Sequence, residues 1–243
     1  MIGAKNKRYV AFFDILGFKE AVQNDLDEAW GALEDVRVSM EETLNTFIKT
    51  PDEIILTRNS ERTAATNFSD SILIFSLKGN SNDLHSILIL STALFAKSLN
   101  RCVPLRGGIS YGNFYCNYEK NLFCGVPMIR AYELAESAQW SGIIIDDNVA
   151  KHYLKNPIKS YGKSALMRYL VPVKNKRTIR KKEPWVLNWP LVCKNNFNTN
   201  PPISAKLYSK AFESLFKSSY DKWPEDIQAK YDNTVEFINS VLK

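Results

Sequence analysis

Two apolar segments of strand type, each with an aspartate at one end, constrain the fold of this chain more than any other feature. The first, RYVAFFD at residues 8–14, ends in Asp14 and is followed by a glycine turn. The second is NFSDSILIF, in which Asp70 comes directly before the apolar residues. A carboxylate at the end of a buried strand is costly unless a partner or a metal ion offsets its charge. The fold therefore has to supply such partners.

The order of the predicted elements along residues 8–146 indicates the fold class. Segments rich in aromatic and β-branched residues predict strands, and apolar residues three or four positions apart predict helices. Together they give βααββαββαβ, which predicts an α+β fold with a mostly antiparallel sheet covered by helices. The predicted bounds are a strand over 8–14, two helices within 18–49, a loop over 52–63, a hairpin over 64–77, a helix over 83–99 capped by Asn82 or Asp83, strands over 103–111 and 112–124, a helix from Pro127 to about Ala138, a strand over 142–146 and a helix over 148–154.

The C-terminal third of the chain differs in character from the segment before it. It contains a strand-like stretch ALMRYLVPV, a basic run KNKRTIRKK at 174–182, the segment WVLNWPLV, and two helices near 204–219 and 224–242. No flexible linker separates it from the rest. We therefore expect a core at residues 1–160 and an elaboration at residues 161–243 that packs on the same domain.

Composition restricts the class of protein. The 243 residues are 45% hydrophobic and 24% charged, which is ordinary for a soluble globular protein with a sizeable core. The apolar stretches are too short to span a membrane. The N-terminal MIGAKNKR leads straight into a strand rather than a signal peptide. We therefore expect a cytoplasmic protein with no membrane partner.

Charge and metal-binding residue types narrow the partners further. The net charge of +6 favours a polyanionic partner, either a nucleic acid or a nucleotide with its phosphates. The four cysteines show no zinc spacing, and with only two histidines in the chain we expect no structural zinc site.

The two aspartates suggest a metal site for phosphate chemistry. If the first strand pairs with the hairpin, Asp14 and Asp70 converge, and two close carboxylates raise each other's pKa unless a divalent cation lies between them. Few oxygen ligands beside an open turn suit Mg²⁺ or Mn²⁺ that shares coordination with substrate phosphates. Gly17 would let backbone N–H groups approach those phosphates. The alternative for Asp70 is a turn residue without a metal.

Four segments resemble a known family. FFDILGF, NFSDSILIF, LRGGISYG and GVPMIRAYELAESAQWSGIIID occur in the order of the class III nucleotide cyclase catalytic domain. The layout as a whole is most similar to the pyrimidine cyclases of bacterial Pycsar antiphage systems, over residues 8–150, and the WVLNWP segment of the tail also resembles that subgroup. The resemblance implies the cyclase fold, with its ferredoxin-like core.

The resemblance also implies a set of site residues. Two divalent cations, Mn²⁺ or Mg²⁺, would be bound by Asp14, Asp70 and the backbone carbonyl of Ile15, and the turn Leu16-Gly17-Phe18 would hold the triphosphate. The 3′ hydroxyl of the nucleotide would attack the α-phosphorus and pyrophosphate would leave. Sites of this family form between the subunits of a head-to-tail dimer, which implies a homodimer.

The subgroup implies a substrate and a biological role. The substrate would be UTP or CTP, and the product cUMP or cCMP, a second messenger made in antiphage defence. The product would activate a partner effector that damages the host membrane or depletes NAD. No nucleic-acid partner is expected, because the basic run 174–182 lacks interleaved aromatic residues and is typical of a solvated loop.

Three positions depart from the purine cyclases. Thr66 stands where those enzymes have a base-reading lysine, and Ile129 and Glu133 stand where they have an asparagine and a transition-state arginine. Arg130, three residues from Glu133, could supply the missing cation; the alternative is a solvated surface charge. Arg106 could reach phosphate or base; its alternative is an internal salt bridge, with Glu133 as one possible partner.

Other functions remain open at this stage. Glu133 motivates a catalytically degenerate, cyclase-like domain that binds nucleotide or dimerises without turnover. A purine nucleotide cyclase and a basic nucleic-acid-binding module are the remaining alternatives.

Overall fold

The central strand of the sheet is β1, Asn6–Ile15, which contains the first apolar segment. In the computed structural model, it pairs antiparallel with β5, Ser71–Ser76, on one side and with β6, Leu105–Asn117, on the other. The structure describes residues 6–45, 47–49, 56–58, 62–117, 120–158, 165–173, 183–196 and 203–242. The basic run 174–182 and most of the predicted loop 52–63 lie outside these residues.

Within the described ranges, the main sheet has eight strands in the order β4-β5-β1-β6-β8-β10-β9, with β7 paired to β6. Its pairings are antiparallel except for the parallel pair β6–β8. The predicted α+β fold with a mostly antiparallel sheet is therefore confirmed. The remaining strands are β2 Phe47–Lys49 and β3 Leu56–Arg58, which form a separate pair, β4 Thr63–Phe68, β7 Leu122–Gly125, β8 Ile143–Ile145, β9 Leu166–Arg168 and β10 Trp185–Leu187.

Alternation along β1 gives the sheet two different faces. Ala11, Phe13 and Ile15 belong to the main hydrophobic core, whereas Val10 belongs to a smaller cluster on the opposite face. Helices α1 Phe18–Asn24, α2 Leu26–Leu44 and α3 Ser81–Asn100 follow the first strands, and α4, Val126–Ser137, packs along β1 and β6. Because Asp14 alternates with Phe13, its side chain lies on the α4 face.

The N-cap of helix α3 lies two or three residues before the two predicted caps. This cap is Asn80, whose side chain accepts from the N–H of Asp83, while the Asp83 carboxylate accepts from the Asn80 N–H. The predicted caps, Asn82 and Asp83, were wrong because Asp83 is the second member of a capping box, not the cap itself. The predicted helix that begins near Pro127 is confirmed as α4.

The segment WVLNWPLV, for which the sequence predicted no structure, forms one strand and the start of one helix. Strand β10 ends at Leu187, and α6, Trp189–Asn196, begins just after it. The side chain of Asn188 accepts from the N–H of Leu191 at 3.4 Å and caps the helix, and Pro190 fits its first turn. The predicted strand in ALMRYLVPV is reduced to the three residues of β9.

The last helices join the same core as the sheet. After α5, Asp147–Lys155, and α6, the chain forms α7, Ala205–Phe216, and α8, Glu225–Val241. One hydrophobic cluster contains residues from both sides of position 160, from Phe13 to Phe237. The domain division at that position stays a prediction. Within the described residues, no helix is both long enough and apolar enough to cross a membrane.

Candidate active site

The structure brings Asp14 and Asp70 to the same end of the sheet. Asp14 pairs in register with Ser71, the first residue of β5, and Asp70 directly precedes Ser71 in the turn after β4. Ser69 takes a left-handed conformation, with φ 53°, which makes this turn tight. The two carboxylates are close enough for the charge of Asp70 to raise the pKa of Asp14.

A buried guanidinium occupies both oxygens of Asp14. The Nε of Arg106 donates to Oδ1 and its Nη2 donates to Oδ2, each at 2.8 Å. The same Nη2 donates to the carboxylate of Glu136 at 2.6 Å, and Nη1 donates to the Glu136 carbonyl at 3.2 Å. Arg106 therefore forms an internal salt bridge, but not with Glu133, the partner that the sequence had suggested. Asp14, Arg106 and Glu136 are called the ion triad below.

The electrostatics of the ion triad depend on burial and on an excess of negative charge. Asp14 and Arg106 are each 8% exposed. Burial raises the pKa of Asp14, the charges of Glu136 and Asp70 act in the same direction, and the hydrogen bonds and charge of Arg106 oppose them. Burial lowers the pKa of Arg106, but Asp14 and Glu136 outweigh it, so that this pKa is raised. The guanidinium of Arg106 is thus shared between the carboxylates of Asp14 and Glu136.

The carboxylate excess fits divalent cations. Asp14, Asp70 and the carbonyl of Ile15, the last residue of β1, offer the oxygen donors that Mg²⁺ and Mn²⁺ prefer. Among the described residues, no three or more His, Cys, Asp or Glu side chains form a group that could hold a metal on their own. A cation here would therefore draw on backbone and substrate oxygens, and it would share Asp14 with Arg106 or displace it.

The turn after β1 is fixed by one backbone hydrogen bond and one left-handed residue. The N–H of Leu16 donates to the carbonyl of Pro104 at 2.9 Å, so this N–H is occupied within the protein. Gly17 has φ 83° and ψ 17° and caps α1, a conformation that favours glycine. Backbone N–H contacts from the turn to phosphate would therefore fall to Gly17 and Phe18, and the binding of a triphosphate by the turn Leu16-Gly17-Phe18 stays a prediction.

Thr66 lies on the same face of the sheet as Asp14. It belongs to the edge strand β4 and pairs with Leu73, which in turn pairs with Phe12 on β1. Side chains of residues that are paired across strands point to the same face of the sheet. Thr66 therefore shares the face of Phe12 and Asp14. It lies two strands away from β1, level with Phe12, which is two residues farther from the strand end than Asp14. It is half-buried, whereas Phe68, nearer the strand end, is 85% exposed.

Arg130 does not join the two aspartates of its own chain. Its Nη1 lies 3.9 Å from the Asp146 carboxylate, which also accepts from the hydroxyl of Ser110 at 3.2 Å. Ser110 pairs with Val10, four residues before Asp14, or about 13 Å along the strand. The guanidinium is half-exposed, and Ile129 and Glu133 on the same helix are exposed as well.

Glu136 is the site residue that sequence reasoning missed. Helix α4 runs back along β6, and a Cβ on Gly108 would stand 2.3 Å from the Ala131 carbonyl, so the helix lies directly on the strand. The last turn of α4 therefore lies beside the end of β6 that carries Arg106. The available signal was the spacing: Glu136 follows Glu133 by three residues, almost one helical turn nearer that end.

Comparisons with known proteins find a match among solved structures only. No protein-family model matches the sequence, and no curated protein sequence matches it either. Among solved structures, the monomeric guanylyl cyclase domain of the RhoGC fusion protein from the aquatic fungus Blastocladiella emersonii matches with a TM-score of 0.50 and 9% identity, covering 64% of this chain and 90% of that one. The catalytic core of a rhodopsin-guanylyl cyclase with converted specificity, in complex with ATPαS, has a TM-score of 0.46 and 11% identity, covering 77% and 98%.

The first of these likenesses defines the class of fold. The chain has the fold of a class III nucleotide cyclase catalytic domain, as the sequence predicted. Asp14, Asp70 and Arg106 lie together at one end of its sheet, and Arg130 lies elsewhere on the α4 face.

Proposed function

We propose that this protein is a pyrimidine nucleotide cyclase that converts UTP or CTP to the 3′,5′-cyclic monophosphate and pyrophosphate. The observation that carries the proposal is the convergence of Asp14 and Asp70 at one end of a cyclase-type sheet, beside the turn that Gly17 forms. Two carboxylates that converge beside an open turn offer the oxygen donors that a site for metal-bound triphosphate requires.

Different residues of the chain would bind the metal ions and the triphosphate in the proposed reaction. Two Mn²⁺ or Mg²⁺ ions, when bound by Asp14, Asp70 and the Ile15 carbonyl, would lower the pKa of the 3′ hydroxyl and neutralise the leaving phosphates. The N–H groups of Gly17 and Phe18 bind and orient the triphosphate. The bond from the 3′ oxygen to the α-phosphorus forms, the bond from that phosphorus to pyrophosphate breaks, and the hydroxyl proton passes to solvent water.

Arg106 has two roles in the proposed reaction. Without substrate it neutralises Asp14, whose burial would otherwise be costly. With metal and triphosphate present, Arg106 would bind phosphate oxygens, for which its planar donors are suited, and Glu136 would be the carboxylate that holds its guanidinium. Arg130 would supply the cation that stabilises the transition state, in place of the arginine that purine cyclases carry at the position of Glu133.

The preference for a pyrimidine rests on the residue at position 66. Thr66 is short and uncharged, and it stands on the site face where the resemblance puts the base-reading lysine of purine cyclases. A threonine hydroxyl can donate and accept one hydrogen bond, but it cannot supply the charged donor of a lysine. ATP and GTP therefore serve as the comparison substrates in any test.

A homodimer would complete the proposed site. Arg130 is far from Asp14 of its own chain, so a head-to-tail partner would have to bring its Arg130 to this site. The α4 surface and the adjoining hairpin expose apolar side chains, each 47–61% exposed, of the kind that mark interfaces. These residues are Leu122, Val126, Ile129 and Tyr132.

The biological role is proposed on the family resemblance. The cyclic pyrimidine nucleotide would be a second messenger in antiphage defence, and it would activate a separate effector protein. Expression of the chain with its neighbouring genes during phage infection, with measurement of cUMP and cCMP, tests this part.

The substrate panel tests the reaction itself. The protein is incubated with each of UTP, CTP, ATP and GTP in Mn²⁺ or Mg²⁺, and pyrophosphate release and the cyclic product are measured. We expect turnover of one or both pyrimidine triphosphates and none of the purine pair. Turnover of ATP or GTP alone would replace the pyrimidine assignment with the purine alternative, and an Asp70→Asn variant serves as the inactive control.

A second candidate is a cyclase-like domain that binds nucleotide without turning it over. The observations that favour it are the double hydrogen bond that holds Asp14 to Arg106 and the exposed Glu133 on α4. The same panel separates the two functions, because this candidate predicts nucleotide binding with no pyrophosphate release.

A further inference from the structure

Two C-terminal helices reach the end of the sheet that carries Asp14. Phe216, the last residue of α7, and Ile227, in the first turn of α8, both face Gly17. A Cβ built on Gly17 would stand 2.5 Å from Cζ of Phe216 and 3.2 Å from Cδ1 of Ile227. The Phe216 ring therefore touches the backbone of the turn, with no room for a side chain between them.

The ring of Phe216 is itself held in place. It is 3% exposed, and its centroid lies 5.7 Å from that of Phe212 and 5.9 Å from that of Trp223. The ring is therefore buried within the main core and packs against aromatic neighbours, as close packing of a protein interior requires. It presents a fixed surface to Gly17.

The helices are also anchored to the rest of the molecule on two sides. Lys217, which follows α7, forms an ion pair with Glu28 of α2 at 2.8 Å. In α8, the hydroxyl oxygen of Thr234 accepts from the N–H of Ser141 at 2.8 Å, in the loop that leads into β8. The first contact is half-exposed, but the second is buried, so α8 is fixed to the frame of the sheet.

Gly17 needs such a surface because glycine does not hold its own conformation. A glycine populates left-handed and right-handed regions about equally, so neighbours have to select φ 83°. On one side the hydrogen bond from Leu16 to Pro104 restrains the turn. On the other side the restraint is the Phe216 ring.

Given the proposed function, on which this step rests, we infer that Phe216 is a positioning residue for the triphosphate-binding turn. It contacts no substrate. It acts by holding Gly17 in the conformation that presents the N–H groups of Gly17 and Phe18 to phosphate. The C-terminal helices would thus serve the active site as well as the core.

The first test is Phe216→Leu, which removes the ring atoms nearest to Gly17. We expect KM for the preferred triphosphate to rise about tenfold, because small displacements of a binding group are costly. We expect kcat to change less than about twofold, since the turn binds ground state and transition state alike. The matched control is Phe75→Leu, an equally buried ring in the separate small cluster. This control should lose thermal stability but keep its KM.

The second test uses compensation between the two contacting residues. Gly17→Ala places a methyl group against the ring and should raise KM more than Phe216→Leu does. Combining both changes gives the methyl group room, so the double variant should bind better than Gly17→Ala alone, although the left-handed φ keeps it weaker than wild type.

Three outcomes would overturn the inference. One is a Phe216→Leu variant whose KM matches that of the Phe75→Leu control at equal loss of thermal stability. Another is a double variant that is worse than either single variant, which would indicate independent damage. The third is a wild-type protein that binds no triphosphate; this result is seen before any variant is made, and it removes the proposed function together with the inference.

Discussion

At the scale of single residues, Arg106 decides how Asp14 can be buried. A carboxylate at 8% exposure is tolerated here because the guanidinium donates to both of its oxygens. Asp70 differs, because it lies half-buried in a turn with no such structural duty among its described contacts. The two aspartates of the proposed metal site should therefore respond differently to substitution.

We predict that Asp14→Asn and Asp70→Asn both abolish turnover, but that only Asp14→Asn destabilises the fold. The loss for Asp14→Asn should be about 3 kcal/mol, because Arg106 keeps its charge while losing its buried counter-charge. Urea unfolding monitored by circular dichroism measures this difference. An Asp70→Asn variant that retains full turnover would contradict the metal assignment.

The Tyr9–His152 pair is a second residue-scale feature, at the opposite end of β1. The Tyr9 hydroxyl lies within hydrogen-bond distance of Nδ1 of His152, at 2.8 Å, and burial raises the pKa of Tyr9, so the hydroxyl keeps its proton. Partial burial lowers the pKa of His152 below 6.5, and the charges of Lys155 and Lys7 add to this effect.

The pair should make stability depend on pH. In the unfolded chain His152 titrates near 6.5, but in the folded chain it takes up its proton only at lower pH. As the pH falls below 6.5, the unfolded state binds more protons than the folded state, so stability falls until the folded pKa is passed. Thermal unfolding between about pH 7 and pH 5 should show a smaller loss for His152→Gln than for wild type. Equal losses would show that His152 does not contribute.

At the scale of elements, the contact of α4 with β6 depends on a glycine, Gly108, which has no side chain to keep the helix and the strand apart. A Cβ on Gly108 would stand 2.3 Å from the Ala131 carbonyl and 2.8 Å from Cβ of Leu134. Backbone cannot give way as a flexible side chain can, so helix and strand approach closely only because residue 108 is glycine. This approach also delivers Glu136 to Arg106.

We predict opposite effects for alanine at two glycines. Gly108→Ala should destabilise the protein by about 3 kcal/mol, because α4 has to move off the sheet. Gly31→Ala is the matched control; it lies inside α2 with nothing within 4 Å of the new methyl group, and it should stabilise by about 1 kcal/mol. Denaturant midpoints of both variants check the pair, and a neutral Gly108→Ala would contradict the packing of α4.

At the scale of the whole molecule, the separation of Arg130 from Asp14 points to a site shared between two chains. In a head-to-tail dimer, each site would combine Asp14 of one chain with Arg130 of the other. An Asp14→Asn chain paired with an Arg130→Ala chain would then contain one doubly damaged site and one intact site.

We predict that mixing these two inactive variants restores activity. After exchange of subunits, half of the dimers are mixed and each holds one intact site, so the mixture should reach about a quarter of wild-type turnover. Pyrophosphate release before and after mixing measures it. No recovery, in a mixture that light scattering shows to be dimeric, would place Arg130 outside the shared site.

The sequence by itself determined the order of the elements and the fold class. The apolar segments and their spacing identify β1, β5, α3 and α4, because burial of one face imposes a period on each element. The position of each aspartate at a strand end is likewise local information. The pairing of the first strand with the hairpin was only a condition at that stage, and the structure shows that β1 pairs antiparallel with β5, the second strand of that hairpin.

The contacts of the site carboxylates, and those of the turn at Gly17, were decided only by the tertiary structure. Arg106 is 92 residues from Asp14 and Glu136 is 30 residues from Arg106, and their meeting depends on how closely α4 lies on β6. The contact of Phe216 with Gly17 likewise joins the two ends of the chain. Such contacts carry no periodic signal, because they arise from the packing of whole elements and not from the hydrophobic pattern within any one of them.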